Sequence, residues 1–353
     1  MWRLVLCCLL LPLFAGCLRP LTVTGTVDAD LDADVNGAVQ VTADIPPVRP
    51  SGPMVAMPLA PGAPRQFPKV AVVDVDGLLL DSDMTGLYSL GENPVALFRE
   101  RLDAVANDSC VCALVLRINS PGGSVTATDI MWHDLRSFKR RTKLPVVACL
   151  MDLGAGGAYY LATAADQIVA HPTSVTGGIG VILNVYNLQD AMAQFNVVGA
   201  PIKAGKNIDV GTPIVALDQE RRAMLQAMAD EFHARFRQVV IKSRAEVDAS
   251  LETNFDGRVF TAKQALARHL IDTIGYLDDA VAAGRGMSGE PQAVTTFFHR
   301  ANDPARSPYA VTPNVPLQST LIPLSLPGLD RSRLPSFLYL WQPEPTLEKL
   351  GGR

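Results

Sequence analysis

Apolar and polar positions follow two different periods along the middle of this chain. Four short apolar or β-branched runs predict buried strands, at Val70–Val75, Cys112–Ile118, Pro145–Leu150 and Gln167–Ala170. The segments between them have helical spacing or the small apolar composition of a buried helix, at Phe98–Ala106, Thr126–Lys139 and Ala155–Ala165. This alternation predicts an α/β fold, with repeated β-α-β units forming a parallel sheet core and helices around it. Ligand chemistry is then expected at the carboxyl ends of the strands.

The same pattern gives the expected domain organisation. A folded domain is predicted from 69 to 285, and its last long element is an amphipathic helix over Asp218–Ser243. Residues 18–68 are rich in Pro, Ala and Asp, with little apolar bulk, and predict a disordered stalk. The periodicity breaks after about Gly286, and residues 286–353 are interpreted as a Pro/Leu-rich tail.

Residues 1–17 have the pattern of an export signal. The apolar run Leu4–Phe14 is too short to span a bilayer and fits the apolar region of a signal peptide. It ends L-F-A-G-C at Cys17, which resembles a bacterial lipobox, in which the cysteine is lipidated. We therefore expect an exported cell-envelope protein, anchored to the membrane by lipid at Cys17. The alternative is an ordinary signal cut near Ala15 or Gly16, which would give a secreted or periplasmic soluble protein.

Composition narrows the classes of partner. The 353 residues carry a net charge of -4, and no stripe of basic residues interleaved with aromatics is present, so no nucleic-acid partner is expected. Cys110, Cys112 and Cys149 have no metal-ligand spacing with a histidine, so no metal is expected. No cofactor is predicted either.

Two glycine-rich segments carry the candidate chemistry. Asn119–Ser124 reads N-S-P-G-G-S between a predicted strand and a predicted helix. Gly122 and Gly123 allow backbone N–H groups to point at one spot, which is the geometry of an oxyanion site. The second segment, Asp152–Ala162, reads D-L-G-A-G-G-A-Y-Y-L-A and contains no Ser, Cys or Thr. It therefore has no nucleophile of its own.

Together these motifs, in this order, resemble the signal peptide peptidase A (SppA) family of serine peptidases. The matching runs include L-V-L-R-I-N-S-P-G-G-S-V, G-A-G-G-A-Y-Y-L-A-T-A-A-D, T-G-G-I-G-V and D-G-R-V-F-T-A-K-Q-A-L, within Val70–Ala280. The resemblance implies a fold of the Clp-protease/crotonase type. It also implies amide hydrolysis by a Ser–Lys dyad, in which a neutral lysine takes the proton of the attacking serine.

All three side chains of that chemistry are replaced in this sequence. The family's nucleophilic serine aligns with Gly156, and the second serine that steadies the lysine aligns with Gly178. The lysine aligns with Ile208. The flanking glycines remain, so Gly122, Gly123 and Gly157 are expected to form the oxyanion and substrate-binding part of the site.

The leading hypothesis is a pseudopeptidase that binds a peptide or an unfolded protein segment without cleaving it. The resemblance also implies a homo-oligomer, or an assembly with an active paralogue, and the tail around Phe337–Trp341 is expected to dock on a neighbouring subunit.

Two alternatives remain. One is an active serine endopeptidase with a relocated nucleophile at Ser124 or Ser120, with Lys206 as the candidate amine. The other is crotonase-like binding of an acyl thioester, although the sequence offers no basic site for the adenine phosphates of coenzyme A.

Overall fold

The central strands are long apolar runs that are buried on both faces. In a computed structural model, which describes residues 52–59, 66–82, 92–301 and 337–341, Val70, Val72 and Leu114 have no exposed surface. Strands that are covered on both faces are typical of parallel α/β sheets. The predicted signal peptide with Cys17, and stalk residues 18–51, lie outside the described residues.

Ten strands in the described residues form one sheet. They are β1 Met54–Pro58, β2 Lys69–Leu79, β3 Val111–Ser124, β4 Val146–Ala155, β5 Gln167–Ala170, β6 Val175–Gly177, β7 Val259–Thr261, β8 Thr273–Ile274, β9 Val294–Arg300 and β10 Leu338–Leu340. The main order is β1-β9-β2-β3-β4-β5-β8, and the pairs from β9 to β8 are all parallel. Three pairs are antiparallel, namely β1 with β9, β6 with β7, and β10 with β3.

Seven α-helices accompany the sheet in the described part of the chain. They are α1 Pro94–Asn107, α2 Val125–Thr142, α3 Gly157–Ala162, α4 Gln189–Gln194, α5 Gln219–Ser243, α6 Ala262–Leu266 and α7 Leu277–Ser288, with a 3-10 turn at Glu252–Asn254. None of the described helices is long and apolar enough to cross a membrane.

The helices cover both faces of the sheet and make two apolar cores. On one face α1 and α2 pack Phe98, Leu102 and Leu135 against the central strands. On the other face α7 packs Leu277 and Val281 against β2, β3 and β4. The result is an α/β sandwich around a mostly parallel sheet, which confirms the predicted fold class.

Local sequence signals set the ends of the helices that lead into the site. The Ser124 side chain accepts a hydrogen bond from the Ala127 amide at 3.2 Å and so caps the start of α2. That helix ends at Lys143, in the left-handed conformation, after the basic run Lys139–Arg141. The segment Asn119–Ser124, the last part of β3, is thereby fixed directly before a capped helix.

A buried ion pair joins the two central strands. Asp74 on β2 lies opposite Arg117 on β3, and the guanidinium nitrogens are 2.6 and 2.8 Å from the carboxylate oxygens. Both side chains are less than one tenth exposed. Arg117 also stacks on Phe297 of β9, 5.0 Å from the ring centroid. Because an uncompensated buried charge is costly, the pair favours this register of three neighbouring strands over a shifted one.

The structure corrects both predicted limits of the folded domain. Strand β1 lies in the predicted stalk, and strands β9 and β10 lie in the predicted tail, beyond 69–285. Phe297 and Phe298 of β9 are 5% and 4% exposed, and Tyr339 of β10 is fully buried. These strands complete their hydrogen bonds with partners far away in sequence, so their proline-rich surroundings carry no local sign of the pairing.

Candidate active site

Gly156 forms a sharp turn between β4 and α3. The strand ends at Ala155, the helix begins at Gly157, and Gly156 has φ 56° and ψ −125°. Hydrolases use a strained strand-to-helix turn of this kind to present a nucleophile. Here the turn presents only a hydrogen atom.

The loop at the end of β3 meets this turn. A Cβ placed on Gly122 would lie 2.5 Å from the Gly157 amide nitrogen, and one placed on Gly157 would lie 3.3 Å from the Gly123 amide nitrogen. The four glycines Gly122, Gly123, Gly156 and Gly157 therefore lie together. Backbone N–H groups in such a cluster can stabilise negative charge on a carbonyl oxygen.

Gly178 also adjoins the turn. The amide of Gly156 donates to the Gly177 carbonyl at 2.9 Å. A Cβ on Gly178 would lie 3.1 Å from the Gly156 nitrogen. A side chain at 178 would therefore point toward the Gly156 turn.

Ile208 lies elsewhere. It is 74% exposed, and its amide bonds within its own loop, to the Gly205 carbonyl. Lys206 is also exposed and forms an ion pair with Glu220 at 2.7 Å. Gly156 and Gly178 thus adjoin each other, whereas the contacts given for Ile208 and Lys206 join them to Gly205 and Glu220.

The two candidate replacement serines have structural partners. Ser120 is fully buried, and its hydroxyl oxygen accepts a hydrogen bond from the Gly122 amide at 3.1 Å. Ser124 caps α2, as described above. The atoms nearest to a Cβ on Gly156 are backbone atoms of Tyr339 and Pro121. A Cβ on Gly156 would therefore meet backbone atoms first, whereas a Cβ on the neighbouring Gly157 would meet the buried Thr128 hydroxyl.

The strand β10 lies across this glycine cluster. Leu338, Tyr339 and Leu340 pair antiparallel with Ser124, Gly123 and Gly122. Two bonds flank the pairing: the Val125 amide donates to the Phe337 carbonyl at 3.2 Å, and the Trp341 amide donates to the Pro121 carbonyl at 3.0 Å.

On the other edge of β10, Leu338 exchanges two backbone hydrogen bonds with Ile182, at 3.0 and 2.9 Å. Residues Phe337–Trp341 thus fill a groove between two segments of their own chain, rather than of the expected neighbouring subunit.

The Tyr339 carbonyl lies at the centre of the cluster. A Cβ on Gly156 would be 2.5 Å from its oxygen, and a Cβ on Gly122 would be closer still. Hydrogen-bonded pairs alternate with non-bonded pairs along an antiparallel ladder. The two flanking bonds join Val125 to Phe337 and Trp341 to Pro121, so Gly123 and Tyr339 form the hydrogen-bonded pair between them. The carbonyl therefore occupies the volume where a polarised substrate carbonyl would be expected.

The Tyr339 side chain fills an aromatic pocket beside the cluster. Its ring stacks on Tyr160 at 5.4 Å and lies 4.8 Å from Phe236 between centroids. The hydroxyl donates to the Phe232 carbonyl at 2.7 Å. Burial raises the pKa of the Tyr339 phenol, so the phenol stays protonated and remains a donor.

The pocket wall is itself braced by hydrogen bonds. The Tyr160 hydroxyl donates to Asp129 at 2.6 Å, and Arg235 pairs with the same carboxylate at 2.7 Å. On the other side of its ring, Tyr160 meets Trp132 edge-on at 5.7 Å. The neighbouring Tyr159 hydroxyl donates to the Leu270 carbonyl at 2.8 Å. Both tyrosines of the glycine-rich segment therefore pack with bonded hydroxyls, and Tyr160 has the added role of a pocket wall.

Sequence reasoning missed the residues that fill the groove. The only local sign was the F-L-Y-L-W run at Phe337–Trp341, which alternates leucine and aromatic side chains in a proline-rich segment. Among the described residues, no group of three or more His, Cys, Asp or Glu side chains is placed to hold a metal ion.

Comparisons with known proteins agree with the motif order. Residues 138–287 match the family model of Peptidase family S49. This range contains Gly156 and Gly178 but begins after the Asn119–Ser124 loop.

Several similar proteins have peptidase names. A putative signal peptide peptidase SppA of Enterococcus faecium is 27% identical over 60% of this chain and 62% of its own length. Protease 4 of Salmonella typhi is 30% identical over 60% of this chain and 34% of its own. The chloroplastic serine protease SPPA of Arabidopsis thaliana is 32% identical over 54% of this chain and 28% of its own length. The matched region thus spans less than two thirds of each of these relatives.

Solved structures of the membrane-bound stomatin-specific protease 1510-N are also similar. One mutant aligns over 65% of this chain and 97% of its own, with a TM-score of 0.43 and 14% identity. A second mutant, in complex with a substrate peptide, has a TM-score of 0.39, also at 14% identity. Neither TM-score reaches 0.5, so the fold assignment rests on the strand order and the layers described above.

We predict that Gly156→Ala releases Phe337–Trp341 from the groove. The added methyl group would collide with the Tyr339 backbone, and a side chain at this φ and ψ adds strain of roughly 1–3 kcal/mol. Hydrogen exchange should show the amides of Leu338 and Trp341 exchanging at least about tenfold faster than in the parent chain.

The control for this prediction is Gly289→Ala. Gly289 also has a positive φ, 72°, but a Cβ there would meet nothing within 4 Å. Gly289 lies in the left-handed helical region, with ψ 15°, so the substitution adds backbone strain that is smaller than at Gly156 and has no steric effect on the groove. If the amides of Leu338 and Trp341 exchange at the same rate in Gly156→Ala as in the parent chain, the close approach of the Tyr339 backbone to Gly156 is contradicted.

Proposed function

We propose that this chain, whose residues 138–287 match the model of peptidase family S49, is a peptide-binding member of that family that does not hydrolyse its ligand. The observation that carries the proposal is the glycine cluster. It keeps the turn, the converging amides and the groove of a serine peptidase, while Gly156 and Gly178 supply neither a nucleophile nor a hydroxyl to assist one. The peptidase scaffold is shared with the family, and the loss of catalysis is the part that we propose.

The groove itself supports peptide binding as the retained activity. It takes an extended segment through backbone hydrogen bonds on both edges, the mode known as strand addition. Backbone bonds of this kind are available to any extended peptide. The ligand class that fits is therefore an extended peptide or an unfolded protein segment.

The two alternatives gain no comparable support. Ser120 and Ser124 are engaged by backbone amides, which disfavours a relocated nucleophile. The groove is lined for an extended backbone, and no described contact favours an acyl thioester.

We predict that the full chain neither hydrolyses an unfolded protein nor cleaves a fluorogenic peptide ester. The reason is that a Gly156 turn without a side chain cannot form an acyl-enzyme. The same assays on Tyr339→Ala test a chain in which β10 is held less tightly in the groove. A negative result with this variant is then not explained by occupation of the groove by β10. A fluorophosphonate probe should label no serine in either protein.

Ser120→Ala and Ser124→Ala are the matched controls for this test. Turnover that disappears in one of these variants, or probe labelling mapped to either serine, would establish a relocated nucleophile and contradict the proposal.

The proposal includes export and anchoring at the cell envelope through Cys17. Its support is the apolar run Leu4–Phe14 followed by L-F-A-G-C, since the anchor itself lies outside the described residues. We predict that the expressed protein is found in the membrane fraction and that Cys17→Ser moves it to the soluble fraction. Mass spectrometry of the N-terminal peptide is the direct measurement, and an unmodified Cys17 would favour a secreted or periplasmic soluble protein.

Assembly with a second copy of the chain is also part of the proposal. Its support is a series of exposed apolar side chains between α4 and α5, including Phe195, Val198 and Ile202 at 81%, 83% and 105% exposure. Such a patch is typical of a protein interface.

We predict a mass above that of the 37.8 kDa chain by size exclusion with light scattering, and a shift toward the monomer in Val198→Glu. Met287→Glu, at a less exposed apolar position on α7, is the control and should leave the mass unchanged. A monomeric parent chain would contradict self-assembly and leave an active paralogue as the partner to test.

A further inference from the structure

The side chain of Asn119 joins the ends of three strands at the entrance to the glycine cluster. We propose that Asn119 and Asp76 are positioning residues, and that through them the Gly156 turn responds to pH. The inference goes beyond the absence of hydrolysis, and its consequence for peptide binding rests on the proposed function.

The β3–β4 ladder is interrupted at Asn119. One residue of β3 separates the pair Ile118 with Leu150 from the pair Ser120 with Gly154, whereas three residues of β4 separate the same two pairs. The longer strand bulges here, and residues in a bulge lose their regular ladder bonds. This part of β4 therefore needs support from outside the ladder.

The Asn119 side chain supplies such a bond. Its oxygen accepts a hydrogen bond from the Leu153 amide at 3.2 Å, inside the bulge. Leu153 lies three residues before Gly156, whose own amide donates to the Gly177 carbonyl at 2.9 Å. The bond from Asn119 therefore holds the stretch of β4 that leads into the turn.

The other end of the Asn119 amide is bonded to Asp76. Asp76 lies opposite Asn119 in the pairing of β2 with β3, and its carboxylate accepts hydrogen bonds from the Asn119 side chain and the Gly77 amide. Asn119 thus donates to β2 while it accepts from β4. Since the two ends of a side-chain amide are a donor and an acceptor, the Asp76 carboxylate keeps the Asn119 oxygen turned toward Leu153.

Asp76 lies beside a second carboxylate. Asp74 is two residues earlier on the same side of β2, and it holds the Arg117 guanidinium through the two bonds described above. Arg101 of α1 lines the same small cavity as both aspartates and donates to the Asp74 carbonyl at 2.7 Å. Asp74 on β2, Arg117 on β3 and Arg101 on α1 are thus the charged groups around Asp76 in the described part of the chain.

These surroundings set the direction of the response to acid. Burial, followed by the negative charge of Asp74, raises the pKa of Asp76 above that of an ordinary aspartate, although Arg117 and the two hydrogen bonds oppose the shift. As the pH falls, Asp76 therefore takes up a proton before ordinary aspartates do. The neutral carboxyl accepts less strongly, because hydrogen bonds to a charged group are roughly twice as strong as those between neutral groups.

Of the two donors to Asp76, the one that can turn away is the Asn119 side chain, because the Gly77 donor is fixed in the backbone. The Leu153 amide then loses its acceptor, and β4 loosens just before Gly156. The loosening is local. Since the pKa of Asp76 is raised, the unfavourable contribution of its charge to folding is present above the folded pKa and is lost below it, so this proton does not unfold the sheet.

The test is amide hydrogen exchange of the full chain, followed by NMR with ¹⁵N-labelled leucine and glycine at about pH 7 and about pH 4.5. Protection, measured against the exchange rate of an unstructured peptide at the same pH, should fall roughly 3- to 10-fold at Leu153 and Gly156 at the lower pH. Leu114 is the internal reference. Its amide donates to the Pro145 carbonyl at 2.9 Å, beside the start of β4, and its protection should not change.

Three variants assign the response to Asp76. Asp76→Asn keeps an oxygen that can accept from Asn119 but does not titrate, so its protection at Leu153 should match the parent at about pH 7 and stay the same at about pH 4.5. Asp76→Ala removes the acceptor and should show, at the higher pH, the low protection that the parent has in acid. Asp81→Asn is the control, because the Asp81 carboxylate accepts from Asn93 at 2.9 Å, and it should keep the response of the parent.

The outcomes that overturn the inference are distinct. Equal protection of Leu153 at both pH values in the parent chain would overturn it, as would an acid response that survives in Asp76→Asn. A response at Leu153 without one at Gly156 would remove the link to the turn, and an equal response at Leu114 would show a general loosening of the sheet instead. None of these measurements needs a ligand, so hydrolysis or absent peptide binding would overturn the proposed function and leave the role of Asp76 standing.

Discussion

The site depends on one steric constraint, the approach of the Tyr339 backbone to glycines that have no side chains. The Tyr339 carbonyl oxygen occupies the space that a Cβ on Gly122 or Gly156 would need. A backbone can come this close only where the opposing residue is glycine. The pairing of β10 with β3, the burial of Tyr339 and the contacts of Leu338 and Leu340 all follow from that approach.

The same constraint connects the missing nucleophile with the filled groove. A serine side chain at the turn would meet the Tyr339 backbone in the position seen here. Glycine removes that group and leaves room for a closely docked strand. The loss of catalysis proposed above is therefore compatible with close occupancy of the groove by a backbone carbonyl. Gly178 also leaves room for the docked strand, because a larger side chain there would approach the Gly156 amide and Trp341.

The rigid parts of the fold keep this geometry in place. The Asp74–Arg117 pair fixes the register of β2 against β3, and β3 delivers the loop that ends in Gly122 and Gly123. The Ser124 cap then starts α2 directly after the loop. On the other side of the pocket, the Asp129–Arg235 pair links α2 to α5, which supplies Phe232 and Phe236. The glycine cluster is thus held by elements whose own contacts do not depend on any ligand.

The sequence by itself determined the α/β core and the content of the site. Buried β-branched runs alternating with helical periods specify parallel β-α-β units, and the order of the glycine motifs predicts a site at Gly122, Gly123, Gly156, Gly157 and Gly178. These features are local, since each depends on residues close together in the chain. Only the tertiary structure decided that β1, β9 and β10 belong to the sheet. It also decided that Phe337–Trp341 fills the groove. The reason is that an edge strand is specified by the hydrogen-bonding edge that receives it, and that edge is formed by residues about 200 positions earlier in the chain.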